Sequence, residues 1–135
     1  HEYFLHKYNI SNNLKQNLSL LANNFINFNQ NKNFFKKELK KNIYFFGKNH
    51  LHELNILNFL VNKKTQPKDY LYISHFIKKI SLPKFPYDGN YLKNKGIKEG
   101  KIIGKTLKLL EADWVKNDFK ISDQTKLKII NSQTN

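Results

Sequence analysis

Apolar residues recur at intervals of three and four positions along most of the chain. The first such run lies between Ser11 and Phe28 and contains Leu14, Leu18, Leu21, Phe25 and Phe28. This spacing places apolar side chains on one face of an α-helix, whereas a half-buried strand would alternate apolar and polar residues. No convincing alternation and no internal repeat occurs in the sequence. The pattern therefore predicts an all-α fold without a sheet.

Turn residues divide this pattern into about five to six helices. The predicted ranges are 11–28, 33–46, 49–61, 69–80, 98–119 and a short helix after residue 122. Ser11 or Asn12, Asn49 and Ser122 are predicted to cap helix starts, and Gly47 a helix end. The residues predicted on apolar helix faces include Leu39, Ile43, Leu51, Leu54, Leu60, Val61, Tyr72, Ile73, Ile77, Ile103, Leu107, Leu110, Trp114, Leu127 and Ile130. We expect a helical bundle or stacked helical hairpins, with one region over residues 1–82 and another over residues 83–135.

The chain carries a large excess of positive charge. Its 135 residues include 24 lysines, no arginine and 10 acidic residues, for a net charge of +14. Hydrophobic residues make up 39% of the chain, which is enough to form a core. An excess of this size favours an anionic partner, with nucleic acid first and a membrane surface or simple solubility as alternatives.

Residue patterns typical of catalytic or metal sites are scarce. The absence of cysteine excludes disulfides, thiol catalysis and thiolate metal ligands. His50 and His52 precede Glu53, but residues two apart lie on different faces of a helix and cannot easily share one ion. Glu111 and Asp113 diverge for the same reason. We therefore predict no catalytic residue and no metal ligand in this chain.

No stretch approaches the roughly 20 apolar residues that span a bilayer, and no signal-peptide pattern opens the chain. We expect a cytoplasmic protein without a membrane partner. The sequence starts at His1 and contains no methionine. A fragment or a processed form is therefore expected.

Four of the five glycines lie between Phe85 and Trp114. Gly100 and Gly104 are predicted to form a close packing face, and the turn from Gly96 to Lys101 is predicted to open a helix. Lysines surround this segment and are the candidate phosphate contacts: Lys93, Lys95, Lys98, Lys101, Lys105 and Lys108. Tyr87 and Tyr91 are candidates for stacking on a base or ribose, with packing of the corner as the equal alternative. A second lysine stripe, Lys36, Lys37, Lys40 and Lys41, is interpreted equally well as a solvated face.

The same segment resembles the C-terminal signature of class II tRNA nucleotidyltransferases, the CCA-adding enzymes. The match covers roughly thirty-five residues, in order and spacing, and consists of Phe85, Pro86, Gly89, Leu92, Gly96, Gly100, Gly104, Leu107 and Trp114. Asn90 stands where the family usually has an acidic residue, and Lys101 replaces a frequent proline. These changes affect the expected start of the fifth helix and not the expected fold.

The resemblance implies a chain that corresponds to the helical body and tail of such a transferase. In the family this part holds tRNA by its phosphate backbone, while a head domain binds Mg²⁺, CTP and ATP and adds C and A to the 3′ end. The head motifs do not occur in this sequence, so no activity of the chain alone is expected. The implied partners are tRNA and a separate catalytic head chain. The alternatives are a C-terminal segment of a bacterial poly(A) polymerase, a non-enzymatic basic helical adaptor and a relic gene product.

Overall fold

The computed structural model describes residues 12–134 and, within them, all side chains except those of Leu14, Lys15, Asn27 and Phe28. This part of the chain contains no strand, and the predicted all-α class is confirmed. The predicted cap Ser11 and the predicted core positions Leu14 and Phe28 lie outside the described residues or side chains. The helices are α1 (Asn12–Gln30), α2 (Leu39–Phe46), α3 (Lys48–Val61), α4 (Pro67–Lys79), α5 (Gly89–Asn94), α6 (Gly100–Lys116) and α7 (Asp123–Thr134).

The chain divides into two compact units between Leu82 and Pro83. In the N-terminal unit α3 is the central helix, since it contacts α1, α2 and α4. Side chains from α2, α3, α4 and the turns before α2 form the core of this unit: Phe34, Leu39, Ile43, Leu51, Leu54, Ile73 and Ile77. Leu51, Leu54 and Ile77 are completely inaccessible to solvent. Burial of this apolar surface is the main term that stabilises the unit.

In the C-terminal unit α6 packs on both α5 and α7. The core of this unit consists of Leu92, Ile97, Ile103, Leu110 and Ile130. Trp114 is also buried on α6, and its ring makes edge contacts with Phe85 and Phe119 at centroid distances of 5.4 and 5.0 Å. The Phe-Pro corner is therefore anchored to α6 through aromatic packing.

The predicted second helix begins six residues late, at Leu39 instead of residue 33. Residues 32–38 form successive turns. Asn31 accepts a hydrogen bond from the Asn33 N–H at 2.9 Å and donates to the Glu38 carboxylate at 2.7 Å. Asparagine side chains compete in this way with the helical hydrogen-bond pattern and favour turns.

Two of the predicted helix caps are confirmed and one is wrong. Gly47 ends α2 with φ of 85°, and its N–H donates to Ile43 O at 2.8 Å. The Ser122 hydroxyl accepts from the Thr125 N–H at 3.1 Å at the start of α7. Asn49 does not cap α3, because that helix begins at Lys48, directly after Gly47.

Helix α5 was not predicted, and it raises the number of described helices to seven. Its six residues are too few to show an apolar repeat. The Asp88 carboxylate caps it by accepting from the Tyr91 N–H at 3.0 Å. Helix α6 begins at Gly100 and ends at Lys116, inside the predicted range 98–119.

Some residues predicted on apolar faces are exposed to solvent. Leu60 and Val61 in the last turn of α3 are 71% and 58% exposed, and Tyr72 on α4 is 69% exposed. Leu127 on α7 is 51% exposed. On α4 the buried positions are Ile73 and Ile77. Apolar residue type alone therefore predicts a wider buried face than the helices have. The width of that face depends on which neighbouring helices pack against it.

Leu54 and Leu60 offer a matched pair on α3. We expect Leu54→Ala to lower the free energy of unfolding by about 2–5 kcal/mol, because Leu54 is fully buried and its truncation leaves a cavity. Leu60→Ala removes the same atoms from an exposed site and should change stability by about 0.5 kcal/mol or less. Urea unfolding followed by circular dichroism measures both. Equal losses in the two variants would contradict the assigned core.

Candidate nucleic-acid interface

Helix α6 exposes a row of lysines on the face opposite its core residues. Lys101, Lys105 and Lys108 are all exposed and recur at spacings of four and three. Such spacing places them on one side of a helix. In the part of the chain that the structure describes, none of the three forms an ion pair with a carboxylate. Their charges are therefore available to an external anion.

Gly104 lies on the same exposed face, and Gly100 begins the helix. A Cβ atom added at either glycine would meet no heavy atom within 4 Å among the described residues, apart from the local backbone and chain neighbours. The prediction that Gly100 and Gly104 form a packing face within the chain is therefore wrong. Both glycines instead leave the helix backbone uncovered beside the lysines.

Lys93 lies exposed in the last turn of α5, and Lys95 and Lys98 lie exposed on the turn that joins α5 to α6. The Ile97 N–H donates to Leu92 O at 3.1 Å and the Gly96 N–H to Lys93 O at 3.0 Å. Gly96 has φ of 95°, so these bonds form a Schellman motif that ends α5. Leu92 and Ile97 are both buried in the same core, which is the apolar contact typical of this motif. Gly96 thus ends α5, and the predicted turn from Gly96 to Lys101 does lead into a helix, since α6 begins at Gly100.

Tyr87, just before α5, and Tyr91, within α5, are both half-buried. Their ring centroids lie 4.7 Å apart, and Tyr87 also contacts the Phe85 ring at 5.4 Å. The Lys95 ammonium lies 5.7 Å from the centre of the Tyr91 ring. These contacts fix both rings within the unit. Stacking of a base on their exposed parts stays a prediction.

Lys126 was not identified from the sequence, although it lies beside the tyrosines. Its ammonium is 4.9 Å from the centre of the Tyr87 ring and 2.7 Å from the Asp123 carboxylate. The pKa of Lys126 is raised, mainly by its hydrogen bond with Asp123 and to a smaller extent by one with Tyr87. The pKa of Asp123 is lowered by the same hydrogen bond and by the charge of Lys126. The pair is thus fully charged at neutral pH. The only sequence feature from which this ion pair could have been predicted is the Asp-x-x-Lys spacing on a helix.

His50 and His52 do not share a site. His50 is buried on α3, and the amide nitrogen of Asn24 on α1 lies 2.9 Å from its Nε2 atom. In the tautomer protonated on Nδ1, Nε2 accepts this hydrogen bond. Among the described residues, no three His, Cys, Asp or Glu side chains come together as a metal site would require. Burial lowers the pKa of His50, and the charge of Glu53 opposes part of that shift.

Comparison of the chain with protein-family models, curated proteins and solved structures finds no match. No helix in the described part of the chain combines the length and apolar content needed to cross a membrane. The basic surface formed by α6 and the turn before it is therefore the feature on which a functional interpretation can be based.

Gly96 and Gly104 should respond in opposite ways to replacement by alanine. Gly96→Ala places a Cβ in a left-handed conformation and should lower stability by about 1 kcal/mol or more. Gly104→Ala adds a good helix former at an open position within α6 and should raise stability by about 0.5–1 kcal/mol. Thermal unfolding followed by Trp114 fluorescence reports on this unit. Destabilisation by Gly104→Ala would show that the site is crowded.

The His50 environment predicts that the N-terminal unit loses stability in mild acid. The pKa of His50 lies below its ordinary value of 6.5 in the folded state, so folding favours the neutral ring. As pH falls through 6.5 the unfolded chain binds a proton that the folded chain does not, and stability is lost until the lower folded pKa is passed.

Urea unfolding between pH 7.5 and 5 tests this expectation. His50→Gln keeps an acceptor for Asn24 but cannot titrate, and the other histidines remain unchanged. We expect a smaller loss of stability in the variant than in the native chain over this range. Parallel pH profiles for the two proteins would exclude His50 as the source of the pH dependence.

Proposed function

We propose that this chain is the RNA-binding C-terminal segment of a CCA-adding tRNA nucleotidyltransferase, and that its C-terminal unit holds tRNA by the phosphate backbone. The observation that carries this proposal is the exposed lysine row Lys101, Lys105 and Lys108, without a carboxylate partner among the described residues. The signature from Phe85 to Trp114 supports the choice of family.

The form of this surface suits a double-stranded part of an RNA. Proteins recognise such regions largely by shape and by contacts with phosphates and 2′-hydroxyls across a shallow minor groove. Because Gly104 has no side chain, the α6 backbone can come close to the ligand while the lysines beside it reach phosphate oxygens. Lysine contacts of this kind supply affinity without reading the base sequence.

The turn before α6 extends the cationic surface. Lys93, Lys95 and Lys98 are exposed, and the Schellman motif at Gly96 holds the backbone between them. A turn that is fixed before binding loses little conformational entropy when its lysines contact phosphates. Residues 83–135 contain eleven lysines and six acidic residues, so the unit has a net positive charge. Both features favour binding of a polyanion of defined shape.

The nucleotide-transfer chemistry is assigned to a separate head. In the CCA-adding enzymes Mg²⁺ with CTP and ATP supplies that chemistry. Among the described residues no three His, Cys, Asp or Glu side chains come together, and the proposal places no metal in this chain. In this proposal the chain positions tRNA, and a head domain or head chain carries out the reaction.

Charge reversal on α6 tests the proposal. We expect the combined variant Lys98→Glu, Lys101→Glu, Lys105→Glu to bind tRNA at least about tenfold more weakly, because up to three phosphate contacts become repulsive. The slope of log K against log salt concentration should fall by roughly two to three units. Filter binding or fluorescence anisotropy with a labelled tRNA, at several salt concentrations, measures both quantities.

The matched control carries the same three charge reversals elsewhere in the unit, at the exposed residues Lys84, Lys120 and Lys128. Its tRNA affinity should fall much less. Equal weakening in the two variants would show that only net charge matters. Competition with heparin completes the test, since a chain that prefers tRNA no more than heparin is not a tRNA-binding segment.

A further inference from the structure

The N-terminal unit contains a cleft that the proposed tRNA contacts do not use. Two adjoining cavities, of about 340 and 570 Å³, lie between the end of α1, the turns before α2, the end of α3 and α4. They share the lining residues Phe35, Lys36, Asp69 and Ile73. These volumes fall within the range of about 300–1,000 Å³ that is typical of small-ligand sites.

One end of the cleft is cationic and rich in amides. Lys32, Lys36 and Lys64 line it together with Asn58 and Asn62. The Asn62 side chain accepts from the Lys64 N–H at 3.1 Å, which fixes the backbone of that turn. In the described part of the chain these three lysines form no ion pair with a carboxylate. Ammonium and amide N–H groups that line one cavity can donate hydrogen bonds to a phosphate group.

The other end combines two aromatic rings with Lys37. Tyr72 and Phe76 line the larger cavity, with ring centroids 6.5 Å apart and planes inclined by 28°. Tyr72 is 69% exposed, although an aromatic ring of this size usually packs within a core. Phe35 lies between the two ends, as it lines both cavities. A base can stack on such rings whatever its identity.

Asp69 lies where the two cavities meet and is exposed. Its carboxylate would repel a second anionic group there, but it can accept hydrogen bonds from a hydroxyl or an amino group. The cleft therefore favours one phosphate, followed by hydrogen-bond donors, followed by a flat ring. An acidic peptide offers repeated negative charges and no obligatory ring, and so fits less well.

We propose that this cleft binds a nucleotide unit, with its phosphate at Lys32, Lys36 and Lys64 and its base against Tyr72 and Phe76. The nucleotide belongs either to a single RNA strand or to a free mononucleotide, since both present the same chemistry. The proposal concerns residues of the N-terminal unit alone and does not depend on the assignment of the α6 surface.

The test uses the full chain and a fluorescein-labelled oligoadenylate of six nucleotides, with binding followed by anisotropy. We expect Tyr72→Ala to weaken binding about fivefold or more through loss of stacking. The double variant Lys36→Gln, Lys64→Gln should weaken binding and lower the salt slope by about 1.4.

Repeating the measurements in the Lys98→Glu, Lys101→Glu, Lys105→Glu background removes binding at α6, so that failure of either proposal can be recognised separately.

Leu71→Ala and the double variant Lys41→Gln, Lys79→Gln are the matched controls, because these exposed residues do not line the cleft. Circular dichroism verifies that every variant is folded. Displacement of the probe by free AMP, with the same dependence on Tyr72, would identify a mononucleotide as the occupant. Displacement by unlabelled RNA but not by AMP would identify an RNA strand.

Three results would overturn the proposal. The first is an absence of both oligoadenylate and AMP binding in the α6 charge-reversal background. The second is equal weakening by the cleft variants and their controls, which would place the contact elsewhere. The third is displacement by polyglutamate as effective as that by RNA, together with no effect of Tyr72→Ala, which would indicate a site for anions in general.

Discussion

Burial of narrow apolar helix faces against each other is the constraint on which this structure depends. A chain with a net charge of +14 repels itself when it becomes compact. Each unit opposes that repulsion with a small core of mainly leucine and isoleucine, centred on Leu51, Leu54 and Ile77 in one and on Leu92 and Leu110 in the other. The lysines stay on the opposite helix faces, where they remain hydrated and accessible to anions.

The contact between Leu92 and Ile97 has a particular consequence for function. It closes the Schellman motif at Gly96, which ends α5 and directs the chain into α6. Helix α6 then buries Ile103, Leu110 and Trp114, so that Lys101, Lys105 and Lys108 point away from the core. The left-handed backbone at Gly96 thus lies where the chain leaves α5 and turns toward the helix that carries the lysine row. The functional interpretation of α6 depends on this geometry.

The features predicted well from the sequence were those with a long, regular signal. The helical class, the burial of Leu39, Leu54 and Leu110, and the caps at Gly47 and Ser122 all follow from local chemistry. The features predicted poorly depended on side chains that compete with the backbone for hydrogen bonds, or on helices too short to show an apolar repeat. Asparagine turns displaced the start of α2, and α5 was too short to show a period. The candidate lysines were recognised, but not the fact that Lys101, Lys105 and Lys108 have no carboxylate partner among the described residues.

Fold class, net charge and the lysine-rich glycine segment were determined by the sequence alone, because they depend on residue type and on spacing along one helix. Which faces are buried was decided by the tertiary structure. Gly104 could have been a packing site until the fold showed that no described residue covers it. Tyr72 could equally have been a core residue, and only the packing of α4 on α3 left it exposed beside the lysines of the turns. Sequence spacing describes one element at a time, whereas accessibility depends on which elements meet.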